Sequence, residues 1–218
     1  MSIIPINDID NVFRKINYKE KHSDSLSVLS EMQKIVNALH EKSYLLASYD
    51  SVNYSDKSIL ANLNIGSAYK WANLKKGNLD DDFIKKIDFK EKIFRGVKFE
   101  FSEVAKLENR ILQFAENNGY PFASIRLDSI LIKDEELTAS LNFTPNLQII
   151  FDSVGIVGDA QINRKFLSNY LQIKEGELYD HSKIAKIKPL LQKLNIATIK
   201  RPPEIRFING RAYVYLFL

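Results

Sequence analysis

The chain has 218 residues, 45% of them apolar and 27% charged, with no cysteine and a formal net charge of +4 (pI near 9.0). The missing cysteine excludes disulfides, thiolate metal sites and cysteine nucleophiles, and no run approaches the roughly 18 apolar residues of a membrane-spanning helix. The mild basicity is compatible with anionic partners but does not by itself argue for nucleic acid.

The N-terminus, Met1-Ser2-Ile3-Ile4-Pro5-Ile6, has neither a basic segment nor a long apolar run, so it does not read as a signal peptide. Ile9 to Tyr18 is predicted as a strand. Asp24 to Lys42 is predicted as one long helix carrying Leu26, Leu29, Met32, Ile35, Val36 and Leu39. Next come strands over 44–52 and 58–65, joined near Ser55-Asp56-Lys57. No first short helix is visible in this block, which predicts a shortened or divergent copy of the two later blocks.

Ala68 to Leu74 reads as a strand, and Leu79 to Ile84 opens a short helix with Asp80, Asp81 and Asp82 favourably placed at its start. Residues 89–101 read as irregular. Ser102-Glu103 caps a long helix from Val104 to Asn117, with Leu107, Ile111, Phe114 and Ala115 on one side. Gly119 suits the left-handed position after a helix end. Two strands, over 121–132 and 136–144, complete the block, turned by Lys133-Asp134-Glu135.

The last block is the clearest. Residues 147–157 form a strand closed by Gly158-Asp159, and Asn163 to Leu171 a short helix with Ile162, Phe166, Leu167 and Tyr170 on one face. Lys174-Glu175-Gly176-Glu177 turns the chain into a helix from His181 to Leu194 that buries Ile184, Ile187, Leu190, Leu191 and Leu194. Pro189 inside it removes a backbone donor and predicts a kink. Strand material over Ala197-Arg201 and Glu204-Phe207 surrounds Pro202-Pro203, and the hairpin signal Asn209-Gly210 leads into a final strand to Leu218.

One junction recurs. Gly119-Tyr120-Pro121-Phe122-Ala123-Ser124 has a looser copy in Ser43-Tyr44-Leu45-Leu46-Ala47-Ser48, and the same step of 76 from Tyr44 to Tyr120 lands next on Ile196. A helix-to-strand junction written at a fixed period marks an array of small modules rather than one enzyme fold.

Three segments carry a resemblance: Gly119-Tyr120-Pro121-Phe122-Ala123, the opening Phe151 to Gly158 of the last block, and its link Leu171 to Asp180. Together they resemble the POTRA (polypeptide-transport-associated) domain, found before the β-barrel in the BamA/TamA family of outer-membrane assembly proteins. The resemblance covers residues 68–218 well and 1–67 loosely. It implies an α+β fold of tandem β-α-α-β-β modules over 1–67, 68–145 and 146–218, each a three-stranded mixed sheet with two helices on one face. It further implies a place on the periplasmic face of the bacterial outer membrane, a β-barrel following Leu218, and no cofactor. Its implied partners are unfolded outer-membrane proteins and other assembly subunits.

A sheet edge can accept an extended client as an added strand. The strands after the repeated junction are therefore the candidate binding edges, with Leu45, Ala47, Tyr49, Phe122, Ser124, Arg126, Ala197 and Ile199 as contact positions. Tyr44, Gly119, Tyr120, Pro121, Gly158 and Gly176 are candidate structural junctions. The three consecutive aspartates read as solvated helix caps rather than a metal site, and His22, His40 and His181 lack ligand spacing. No nucleophile elbow, phosphate loop, dinucleotide fingerprint or His-Glu-x-x-His motif occurs, so no catalytic residue is expected. Two alternatives stay open: a two-partner-secretion transporter, and an RNA or single-stranded DNA binder stacking bases on Tyr213 and Tyr215. No RNP-like string occurs, and no nucleic-acid partner is expected.

Overall fold

The computed structural model describes residues 1–55, 58–194 and 200–218. Three three-stranded sheets succeed one another along it. The first combines β1 (Ser2–Ile6), β2 (Ser48–Ser55) and β3 (Ser58–Asn64) in the order β1-β3-β2. The second combines β4 (Lys70–Lys75), β5 (Ser124–Lys133) and β6 (Glu136–Thr144) in the order β4-β6-β5, and the third β7 (Ile150–Val157), β8 (Arg201–Ile208) and β9 (Arg211–Phe217) in the order β7-β9-β8. In each, the last strand of the set lies in the centre. In the first and third sheets it runs parallel to its first strand and antiparallel to its second. Two compact units result, one of residues 1–107 with 127–141, the other of 108–126 with 142–218.

In the first unit, helix α1 (Ser25–Glu41) begins where the Asp24 carboxylate accepts the Ser27 amide at 2.7 Å. It buries Val28, Met32, Ile35 and Leu39 against Ile3, Ala61 and Leu63 of the sheet and Ile65 just past its end. Leu26 and Leu29, expected on the apolar face, are 78% and 51% exposed, and the stripe runs through Val28 and Glu31 instead. Glu31 is held there by the Lys19 amide, which lowers its carboxyl pKa.

The expected strand over Ile9–Tyr18 is absent. Asp8 accepts the amides of Val12 and Phe13 at 2.7 and 3.1 Å, which closes the chain into a 3₁₀ turn at Phe13–Lys15. The real first strand is Ser2–Ile6, paired parallel with Leu60–Asn64. Pro5 is tolerated because β1 is an edge strand. The first set therefore keeps the strand–helix–helix–strand–strand order, with a 3₁₀ turn as its first helix.

The second set adds helix α2 (Asp81–Lys86), a 3₁₀ turn at Glu91–Phe94 and helix α3 (Phe101–Glu116). The segment read as irregular contributes Phe89, Phe94 and Phe99 to an aromatic cluster with Trp71, whose ring lies 5.1 Å from Phe99 and 6.1 Å from Phe94. Buried residues on α3 fall at Val104, Leu107, Ile111 and Ala115, a single helical stripe.

In the second unit, helices α4 (Arg164–Leu171) and α5 (His181–Leu194) place Leu167, Leu171, Ile184, Ile187 and Leu191 on the sheet residues Phe151, Val154, Ala212, Val214 and Leu216. Asn163 caps α4 through the amides of Lys165 and Phe166. Helix α5 continues through Pro189. Strand β8 shifts register between Arg201 and Glu204, where Pro202 and Pro203 cannot donate to the ladder.

Candidate functional site

The repeated junction builds the same arrangement twice. Ser43 (φ 84°) and Gly119 (φ 93°) are both left-handed residues just past a helix end. The next amide, of Tyr44 or Tyr120, donates back to Leu39 O or Ala115 O at 3.0 and 2.9 Å. The following turn closes with Ala47 or Ala123 donating to its own tyrosine carbonyl at 3.1 and 3.2 Å. The carbonyl of the left-handed residue then accepts the amide of a residue just ahead of the next sheet: Tyr69 to Ser43 O at 2.8 Å, Ile149 to Gly119 O at 2.7 Å. Each junction thus turns one helix into its strand and ties that turn to the start of the next sheet.

Side chains finish each junction differently. Tyr44 is buried and its hydroxyl donates to Asp10 Oδ2 at 2.5 Å, with Lys98 Nζ 3.7 Å from the same carboxylate. The Tyr44 hydrogen bond, then the Lys98 charge, hold the Asp10 carboxyl below its ordinary 3.8, while burial and the Asp10 hydrogen bond push Tyr44 up. At the second junction Tyr120 is half-buried and accepts from Gln148 Nε2 at 3.0 Å, beside Pro121 in the turn. There Asn117 Oδ1 accepts the Ser182 amide at 3.0 Å, and His181 Nδ1 lies 3.3 Å from Glu116 Oε1 and 3.0 Å from the Tyr179 hydroxyl.

A depressed Asp10 contributes stability above the ordinary carboxyl range that is lost as pH falls through its lowered value. A raised Tyr44 contributes stability that is lost as pH rises past the ordinary tyrosine range. Tyr44→Phe is accordingly expected to move the Asp10 titration up toward 3.8, read by carboxyl NMR. An unchanged Asp10 titration would show that the tyrosine does not govern it.

The candidate edge residues do not all lie in strands. Leu45 and Phe122 sit in the turns before β2 and β5, and Ala47 is buried in the connection. The cause is the junction turn itself, which keeps the chain from extending until Ser48 and Ser124. Tyr49 belongs to β2 but faces inward: its hydroxyl reaches Met32 O at 3.4 Å, and burial pushes its pKa up to about 12. Ser124 and Arg126 are exposed on β5, and Phe122 packs edge-on against Phe207 at 4.9 Å. Ala197 and Ile199, like the third echo at Ile196, lie outside the described residues.

Topology puts β2, β5 and β8 at sheet edges. Strand β5 is ten residues long, and its distal half exposes Ile130, Leu131 and Ile132 by 55%, 63% and 51%. Beyond β7, Gly158 lies against the Leu218 carbonyl. The Gly176 amide donates to Phe151 O at 2.9 Å, joining the inter-helix link to β7. This link has a twin that the 76-residue period does not reveal, since Gly96-Val97-Lys98-Phe99-Glu100-Phe101-Ser102 precedes Gly176-Glu177-Leu178-Tyr179-Asp180-His181-Ser182 by 80 positions. Trp71 and Phe151 exchange the same backbone hydrogen bonds with the two copies.

The acidic trio has structural partners. Asp80 caps the Phe83 amide at 2.7 Å, Asp81 pairs with Lys76, and Asp82 lies 3.4 Å from Lys85. His22 and His40 contact the carbonyls of Lys19 and Ala47. Among the described residues no group of three or more His, Cys, Asp or Glu side chains could hold a metal ion. No described helix is long and apolar enough to cross a membrane. In the second unit a cavity of about 450 Å³ runs along Ser153–Val157 of β7, bordered by Arg164 and Lys165.

No protein-family model and no curated protein sequence matches the chain. Solved structures do. The chain is similar to Haemophilus influenzae BamA POTRA3-5 at a TM-score of 0.56 and 14% identity, over 99% of this chain and 94% of that one. It also matches BamA from Haemophilus ducreyi lacking POTRA domains 1-3 (TM-score 0.49, 14% identity), over 66% of this chain and 29% of that one. A third match is the N-terminal domain of Omp85 from Thermosynechococcus elongatus (TM-score 0.41, 10% identity), over 99% and 94%. The first likeness and the sheet topology together lead to one conclusion. The chain has the α+β fold of tandem POTRA modules.

Proposed function

We propose that the chain is a non-catalytic, periplasmic receptor array over modules 1–67, 68–145 and 146–218 of an outer-membrane β-barrel assembly or translocation protein. It binds unfolded outer-membrane polypeptides by strand addition, alongside assembly subunits and a barrel of its own. The observation that carries the reading is strand β5, a ten-residue sheet edge exposing three consecutive apolar side chains. Long apolar edges attract further strands, and proteins that keep them use them or cover them. Main-chain pairing along such an edge is tolerant of client sequence, and alternate side chains add selectivity. The likeness to BamA POTRA3-5 supports the fold that presents this edge.

On an edge strand, alternate amides point outward, so prolines placed singly at Ser124 and Ile125 remove one outward and one inward donor. One of the two variants is expected to bind an extended peptide of alternating apolar and polar residues about two- to tenfold more weakly, the worth of one hydrogen bond. Fluorescence anisotropy measures the affinity and circular dichroism checks the fold. If the parent chain does not bind the peptide, or both folded variants bind it undiminished, strand addition at β5 is wrong.

A further inference from the structure

The net charge is not spread along the chain. Residues 146–218 hold eleven Lys and Arg against six Asp and Glu, whereas residues 1–145 hold twenty against twenty-one. Within the last module the excess sits on the helical layer. Helices α4 and α5 carry Arg164, Lys165, Lys183, Lys186, Lys188 and Lys193, and neither contains an acidic residue. Lys183 is paired with Glu177 at 2.8 Å. The other five are exposed and, among the described residues, have no acidic partner.

The opposite face of the same sheet is arranged otherwise. Arg206 and Arg201 share Glu204 at 2.8 and 3.8 Å, and Arg211 lies 3.1 Å from Asp152. The guanidinium groups of Arg201 and Arg206 also cover the rings of Phe217 and Tyr215, at 3.5 and 5.1 Å. The aromatic stripe on which a nucleic acid would have to stack its bases is therefore partly roofed, and each of its arginines lies against a carboxylate. The cations without a carboxylate partner form the broad lysine-rich layer on the other side.

We propose that the α4–α5 layer docks on the surface of an anionic bilayer. Four of its five unpaired cations are lysines, whose hydrated, mobile ammonium groups suit a diffuse negative surface rather than one fixed carboxylate or phosphate. The two cavities described beside this layer are lined by Arg164 with Lys165 and by Lys174 with Lys183, and Lys186, Lys188 and Lys193 belong to neither. Phe166, 47% exposed and stacked on Tyr170 at 6.0 Å, adds an aromatic ring beside Arg164 and Lys165, the pairing of apolar ring and cation that membrane interfaces favour. This inference does not depend on client binding at β5.

Vesicle co-sedimentation tests it, comparing pure phosphatidylcholine with vesicles containing roughly one third phosphatidylglycerol. The chain is expected to bind the anionic vesicles, to release them as salt rises, and to ignore the neutral ones. At about fivefold per cation, Lys186→Gln with Lys188→Gln and Lys193→Gln should lower the partition constant about a hundredfold, and Arg164→Gln with Lys165→Gln about 25-fold. Arg201→Gln with Arg206→Gln on the opposite face should leave it nearly unchanged. All substitutions are on the surface, and circular dichroism confirms the fold. Equal binding to neutral vesicles, undiminished binding of the triple variant, or tighter binding to single-stranded DNA or polyglutamate at the same ionic strength would overturn the proposal.

Discussion

Gly158→Ala is expected to destabilise the last sheet by about 3 kcal/mol or more, and Gly77→Ala to do the same to the second sheet. A Cβ on Gly158 would stand 1.9 Å from the carbonyl oxygen of Leu218, and one on Gly77 1.7 Å from that of Leu141. Both obstacles are backbone, so no side-chain rotation relieves the clash. Both glycines also have positive φ, 130° and 60°, which adds strain to any L residue. In the last sheet the strand end must part from Leu218, which is 3% exposed and donates its amide to Val157 O at 3.1 Å. Hydrogen exchange at the Val214 and Leu216 amides reads the third sheet, and the fluorescence of Trp71, the chain's one tryptophan, reads the second. Gly176→Ala is the control, since its φ is 82° but a Cβ there meets nothing within 4 Å, and it should cost only about 1 kcal/mol. If Gly158→Ala costs no more than Gly176→Ala, the close approach is not what the glycine is there for.

These glycines show what the sequence disclosed and what it hid. Gly158 was legible as a turn after a strand, because a β-branched run ended on Gly-Asp. Its pressure against Leu218 was not, since that contact depends on a parallel pairing that returns after two helices and another strand. In the first sheet the same place is held by Asn7 at φ 57°, next to an Ile65 amide bonded to Ile6 O at 3.0 Å. Asparagine tolerates the left-handed region, so the glycine signal vanished and β1 with it. The strand expected at Ile9–Tyr18 failed for a related reason. Ile9, Val12, Phe13 and Ile16 repeat at helical spacing, and the Asp8 cap fixes the turn that this spacing implies.

The candidate site divides in the same way. The junction was readable because backbone conformation demands particular residues there, and the 76-residue echo preserved them. The edge strands were readable only as strands, because edge position is a property of strand order, which short sequence windows do not carry. The offset of Leu45, Ala47 and Phe122 from those strands comes from the junction turn, which takes up three more residues before the chain extends. The cationic helical layer was hidden by a modest overall charge, since a near-neutral first two thirds diluted it.

Ser43→Gly is expected to stabilise the first module by about 1–2 kcal/mol, an unusual sign for a change at a fully buried position. Ser43 holds φ 84°, where a side chain is strained, and its Oγ is buried without a hydrogen-bond partner. Glycine removes both costs, about 1 kcal/mol for the backbone and about 1–3 for the stranded hydroxyl. Against this stand the extra freedom of glycine in the unfolded chain, about 0.5–1 kcal/mol, and the small void left behind. The second junction already has the preferred residue, and the reverse change there should be unfavourable. A Cβ on Gly119 would meet Leu178 Cδ2 at 3.0 Å and the Ile149 carbonyl at 3.4 Å, so Gly119→Ser should destabilise by about 1–3 kcal/mol. Thermal unfolding with hydrogen exchange at Ile35, Leu39 and Leu63 measures the first effect, for which a midpoint rise of about 5 °C or more is expected. A destabilised Ser43→Gly chain would mean that the hydroxyl is satisfied by water and that the two junctions, alike in backbone, are held by different forces.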